Sequence, residues 1–183
     1  GALSHRVREA VEGWLAGWDA NGAEWDFWVE RSEAFRSGLA GLLHARPDDV
    51  AVTTSVSQGV SALVSALPLE RGRNRIVISE YEFPTIGQIA HAQEIRGAEV
   101  VHVRPDPDGS IPPECFAEQI DERTALVCCT TLSYRSGHRH DVAAIAEAAH
   151  AAGAIVLADS YQACGAIELD VRSLGADAVT GGT

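Results

Sequence analysis

The side chains with the most chemical potential sit where apolar runs give way to loops. Asp159 closes the run Ala154–Ala158, so its carboxylate is bordered by surface that should be buried. An ionised carboxylate there needs a cation or several donors, and a protonated pyridine nitrogen would serve. Gln162, three residues on, can turn back and donate to an oxygen on the same ring; the plainer reading makes Asp159 a helix N-cap with Gln162 at the matching box position. Thr54-Ser55-Val56-Ser57-Gln58-Gly59 is a hydroxyl-rich strand end running into a helix. Free backbone N–H groups, the positive helix end and the Ser57 hydroxyl make a phosphate cradle. An ordinary N-cap at Ser55 or Ser57 accounts for the same pattern. Phe83, followed by Pro84, either stacks on a flat ring or tucks onto the core. Neither GxxxxGK[ST] nor GxGxxG is present, which disfavours a nucleotide loop and a nicotinamide dehydrogenase.

These residues need elements to hold them. Leu3, Val7, Val11, Trp14, Leu15 and Trp18 recur at helical spacing up to the Asn21-Gly22 break; Trp25, Trp28, Phe35, Leu39 and Leu42 do so before Arg46-Pro47. All four tryptophans fall in this lead-in, residues 1–46, and predict a packed helix pair, with docking on a second subunit as the other use of such a patch. From residue 47 onward, strand-like runs (Val50–Thr54, Arg75–Ser79, Glu99–Val103, Thr124–Thr130, Ala154–Ala158, Ala176–Thr180) alternate with helical stretches (Ser57–Leu67, Thr85–Arg96, Pro113–Ile120, Val142–Ala152). That alternation predicts an α/β fold, a mostly parallel sheet flanked by helices and preceded by the two N-terminal helices. Ligands of such sheets bind outside the carboxyl ends of the strands. The stretches Thr54–Gly59, Ser79–Thr85, Thr131–Gly137, Asp159–Gln162 and Thr180–Thr183 are therefore expected to meet.

The 183 residues carry 14 basic and 26 acidic side chains, a net charge of −12, and are 46% hydrophobic. Such a chain buries a core; it lacks a membrane-length apolar run and the basic patch of a nucleic-acid partner. Cys115, Cys128, Cys129 and Cys164 show no metal spacing and read as reduced thiols of a cytoplasmic protein. His138-Arg139-His140 is read as a solvated turn and not a metal site, His102 and His150 as structural or surface residues, and Cys164 as packing. Arg71, Arg73 and Arg75 are read as a solvated basic face. All 14 basic residues are Arg; Lys and Met are absent, and the chain stops in a glycine-rich run at Thr183. The expectation is a piece of a longer protein.

TTSVSQGVSALVSAL, SEYEFPTIG, the stretch from TTLSYRSGHRHDV to ADSYQACGAIELDV, and LGADAVTGGT together resemble the fold-type I pyridoxal-phosphate enzymes. The likeness is to the class V aminotransferase superfamily with its cysteine desulfurases and kynureninases, and it covers nearly the whole chain. The resemblance implies pyridoxal 5'-phosphate as cofactor, held at its phosphate by the Val56 N–H and by Ser57. Phe83 would stack on the ring and Thr85 lie beside it; Asp159 would pair with the ring nitrogen as the catalytic carboxylate; Gln162 would bond the ring hydroxyl. Tyr134 or Arg135 would lie near the substrate, and Thr183 would help bind phosphate just before the Schiff-base lysine. It further implies a homodimer, an amino-acid substrate taken up as an external aldimine, and the N-terminal portion of the large domain, the C-terminal small domain being absent. Kynureninases have His at Gln162 and Asp at Ile86, desulfurases have His at Phe83, and the chain has no lysine at all. A lyase of either kind, or a non-catalytic module, therefore stands beside the aminotransferase reading.

Overall fold

The apolar runs become strands because both of their faces are covered. In the computed structural model, which describes residues 3–69 and 72–182, β1 (Arg75–Ser79), β2 (Glu99–Val103), β3 (Thr124–Thr130), β4 (Ile155–Asp159) and β5 (Ala178–Thr180) form one sheet in the order β2-β1-β3-β4-β5. Every pairing in it is parallel. Side chains alternate between its faces. Ile76, Ile78, Leu126, Cys128 and Leu157 pack with α3 (Val56–Ala66) and α4 (Pro84–Ala92). Val77, Val127, Cys129, Val156 and Ala158 pack against α5 (Pro113–Ala117) and α6 (Val142–Ala151). The layers are helix, sheet, helix, as the sequence predicts. The chain leaves β1 for β2 on one side and then crosses to β3 on the other, so the topological switch point lies between β1 and β3.

One expected strand does not form. Val50–Thr54 stays outside the sheet, and residues 51–55 are exposed, so no apolar face demands pairing. Its polar groups serve the next helix instead: Thr53 Oγ1 donates to the Ser55 carbonyl, and the Thr54 N–H to Gln58 Oε1. The helix expected over Thr85–Arg96 stops at Ala92, tightens into a 3₁₀ turn at Gln93–Arg96, and ends at Gly97 with φ +86°. The expected Pro113–Ile120 helix ends at Ala117, and the last strand is limited to Ala178–Thr180.

The lead-in forms α1 (His5–Asn21) and α2 (Trp25–Leu42), joined through Trp14, Trp18 and Trp28, whose rings lie 5.0–6.5 Å apart. Only Ala40 in the pair is buried, and Trp25 is 71% exposed. No helix among the described residues is long and apolar enough to cross a membrane.

Two surface readings are corrected. Arg73 is no free cation: it donates to the carbonyls of Thr124, Ala152 and Gly153 and ties the sheet's lower edge together. Arg75 pairs with Asp121 at 2.7 Å and Glu99 at 3.1 Å; Arg71 lies outside the described residues. His140 is not on a solvated turn. It is 4% exposed, stands perpendicular to Phe116, and neither ring nitrogen has a hydrogen-bond partner. No group of three or more metal-ligating side chains occurs among the described residues.

Burial, with His138 beside it, lowers the His140 pKa to about 4. The unfolded chain then takes up a proton near pH 6.5 that the folded chain refuses until about pH 4. The stability carried by neutral His140 is thus complete above pH 6.5 and lost as pH falls toward 4. His140→Leu should remove about 3 kcal/mol of that acid sensitivity, read as the urea midpoint against pH; an unchanged profile contradicts a neutral, buried ring.

Candidate functional site

At the carboxyl edge of the sheet the strand ends and two helix N-termini enclose a cavity of about 270 Å³. Ser55, Val56, Ser57, Phe83, Thr85, Thr130, Tyr134, Asp159, Tyr161 and Gln162 line it. One wall is the start of α3. Ser55 is its N-cap: the hydroxyl accepts from the Gln58 N–H at 3.2 Å, while Gln58 Oε1 accepts from Thr54 N–H and Oγ1–H at 2.9 and 2.8 Å. With those bonds closed, the N–H groups of Val56 and Ser57 are the helix donors left open, at its positive end. The capping reading therefore holds at Ser55, and it leaves the Val56 and Ser57 amides without a partner from the cap.

The opposite wall is aromatic. Phe83 caps α4 with Pro84 at the first helical position, and its ring meets Tyr134 edge-on at 5.4 Å. Tyr134 is presented by the loop after β3. A bridge from Leu132 to Arg139, and bonds from Ser133 N–H to the His138 carbonyl (2.9 Å) and Gly137 N–H to the Ser133 carbonyl (2.9 Å), close that loop. Tyr161 lies over Gly182, where an added methyl would overlap its ring carbons. Glycine there leaves room for the Tyr161 ring close to the backbone after β5.

Asp159 forms the floor. The last residue of β4, it pairs in register with Thr130 of β3 and Thr180 of β5. Its carbonyl accepts from Thr131 N–H at 2.8 Å, and Thr131 Oγ1 bonds Ser160 Oγ at 2.6 Å, which locks the backbone under the side chain. Asp159 is 7% exposed, and its Oδ1 accepts from the Tyr161 N–H at 2.9 Å. No Arg, Lys or His among the described residues pairs with it. Burial raises its pKa, against the pull of that one N–H. The chain after Asp159 runs as turns, so it caps no helix and forms no box with Gln162.

Glu82 lies behind the floor, 7% exposed and also without a cation. Its Oε1 accepts from Ser79 Oγ at 2.8 Å and Thr130 N–H at 2.7 Å. Its pKa is pushed up to about 8, chiefly by burial and also by the Asp159 charge.

A sequence profile of the family described as aminotransferase class-V matches residues 7–183. The chain belongs to the class-V aminotransferase family. It is 31% identical over its full length to an uncharacterised aminotransferase, YcbU, of Bacillus subtilis, covering 48% of that protein. It is 31% identical over 78% of its length to a probable cysteine desulfurase of Methanothermobacter thermautotrophicus, covering 35% of that protein, and 29% identical over 94% to a kynureninase of Burkholderia mallei, covering 40% of it. The chain thus spans about half or less of the length of these curated relatives. The solved structure of SspA in complex with cysteine superposes with a TM-score of 0.84 at 19% identity, over 98% of this chain and 53% of that one. A NifS-like protein does so with 0.83 at 17%, over 99% and 52%. These likenesses place the chain in the family's fold.

Of the residues singled out from the sequence, Val56, Ser57, Phe83, Thr85, Tyr134, Asp159 and Gln162 meet around this one cavity. Arg135 does not join them; it is exposed, 5.9 Å over the Tyr134 ring. Thr183 lies outside the described residues. Cys164 is half-buried, and burial raises its thiol pKa, as a packing residue requires. Sequence reasoning missed Thr130, Tyr161 and Glu82. Thr130 ends its apolar run as Asp159 ends its own, so aligning the two strand ends would have found it.

Proposed function

We propose that this chain is the N-terminal portion of the cofactor-binding large domain of a pyridoxal-phosphate enzyme, a cytoplasmic homodimer acting on an amino-acid substrate. The observation that carries the reading is Asp159, a buried carboxylate without a cationic partner among the described residues, facing a cavity whose other end offers two free amides. A cationic ring nitrogen would give that carboxylate the counter-charge it lacks, and the open start of α3 suits a phosphate. The donor set fits the group.

When bound, pyridoxal phosphate supplies an electron-withdrawing ring that accepts the electron pair left at the substrate's α-carbon. The chain's own residues do the rest. Val56 N–H, Ser57 N–H and the Ser57 hydroxyl bind the phosphate; Asp159 keeps a proton on the ring nitrogen; Gln162 donates to the ring hydroxyl. Phe83 would cover one face of the ring and exclude water, and Thr85 and Tyr134 would border the substrate side. A counter-cation reverses the burial effect on Asp159, so binding lowers the pKa that burial raises. The Schiff-base lysine is assigned to the part of the protein beyond Thr183, because the sequence contains none.

A kynureninase-like lyase is the second reading. It is favoured by the edge-on meeting of Phe83 and Tyr134, which puts the FPT and SYRSG stretches on one wall. Release of anthranilate from kynurenine by the full-length protein, assayed beside alanine and cysteine, should decide between them; turnover of alanine or cysteine without anthranilate removes the lyase.

Asp159→Ala in the full-length protein should bleach the bound cofactor's yellow absorbance. It should also cut turnover by about two orders of magnitude or more, as loss of one partner from a buried ion pair does. Ser57→Ala should keep the colour and raise the cofactor's dissociation constant. Unchanged absorbance and rate in Asp159→Ala contradict the assignment.

A further inference from the structure

Among the described residues, Glu82 is the one buried carboxyl that the proposed chemistry does not use. It sits at the switch point between β1 and β3, where the last paired residues are Ile78 and Cys128. Beyond them the backbones diverge, and the Thr130 N–H has lost its strand partner. Glu82 Oε1 supplies the acceptor at 2.7 Å, so a side chain extends the ladder past the end of β1. The same oxygen accepts from Ser79 Oγ, which in turn accepts from the Tyr81 N–H at 3.2 Å. The turn from Ser79 to Phe83 is thereby pinned to the tip of β3, next to Asp159.

The second oxygen, Oε2, is sealed from solvent and has no hydrogen-bond partner. An ionised carboxylate left that way is far costlier than a neutral acid. The groups around it supply no positive charge: Ser79 from β1, Thr130 with the Cys128 and Cys129 thiols from β3, and Asp159 from β4. Both thiols are held neutral by burial. Two adjacent carboxylates without a cation do not both ionise. Asp159 has the Tyr161 N–H and the open cavity; Glu82 Oε2 has neither.

We propose that Glu82 is a positioning residue: an uncharged carboxyl that ties the Phe83 loop to the tip of β3 and leaves Asp159 the single negative charge beneath the cavity. The claim rests on the pyridoxal-phosphate reading for what Phe83 and Asp159 then face. Its pKa, pushed to about 8 mainly by burial, agrees with a proton held at neutral pH.

The test uses the full-length protein and two variants, with infrared spectra of the cofactor-free form and pyridoxal-phosphate titrations. At pH 7, wild-type minus Glu82→Gln spectra should show the C=O stretch of a protonated carboxyl. That band should fade as pH rises through about 8. Glu82→Gln keeps the acceptor oxygen and should bind the cofactor within about twofold of wild type. Glu82→Ala orphans the Thr130 N–H and should bind about tenfold more weakly or worse. Absence of the band, or equal loss of affinity in Gln and Ala variants, overturns the proposal while wild-type binding leaves the pyridoxal-phosphate reading standing. If Glu82→Ala does not fold, the infrared band and the Gln titration still decide. Failure of the wild-type protein to bind pyridoxal phosphate overturns both readings.

Discussion

The Asp159 carboxylate is buried without a counter-charge among the described residues, and the site is arranged around that imbalance. Desolvating an ionised carboxylate costs several kcal/mol, which one N–H bond from Tyr161 offsets only in part. A fold that needed only stability would place an apolar or paired residue there, as it does with Val156 and Ala158 along the same strand. The neighbourhood lowers the charge it can lower: the Cys128 and Cys129 thiols stay neutral, and Glu82 is pushed toward its acid form. What remains is a single carboxylate aimed at a cavity whose other end is the positive start of α3.

Parallel strands make that geometry possible. Because all strands run the same way, their carboxyl ends and the helix starts that follow them gather at one edge. Asp159, Thr130 and Thr180 stand in register there, and α3 and α4 open toward them with Ser55 and Phe83 as caps. The crossover between β1 and β3 leaves a crevice with an unmatched N–H, which the Glu82 side chain fills. The opposite edge is closed by Arg73 gripping three carbonyls, so the two ends of the sheet differ: a cross-linked edge at one, the candidate site at the other.

The sequence was most legible where one physical rule acted alone. Arg75–Ser79, Glu99–Val103 and Thr124–Thr130 are strands with the expected bounds: the first and last are buried on both faces, and Glu99–Val103 pairs along β1 as the edge strand. Val50–Thr54 shares the β-branched composition, yet side chains of Thr53 and Gln58 outcompete a sheet for its polar groups. The seven described site residues met at one cavity because each ends or follows a strand or opens a helix. Glu82 escaped notice because nothing local separates it from Glu80, which is exposed two residues earlier; the difference is made by Thr130, distant in sequence. His140, too, looks like part of a solvated His-Arg-His turn until α5 brings Phe116 against it. Tertiary partners of this kind leave no periodic trace.

The central claim is that Asp159 exists to neutralise a cationic ring nitrogen, and the nitrogen itself can report it. Pyridoxal phosphate labelled with ¹⁵N in the ring, bound to the full-length protein, should give the chemical shift of a protonated pyridinium that persists to pH values well above the free cofactor's own titration. A shift of the neutral pyridine type at pH 7 would contradict the account, since the carboxylate would then face a ring that carries no charge for it to balance.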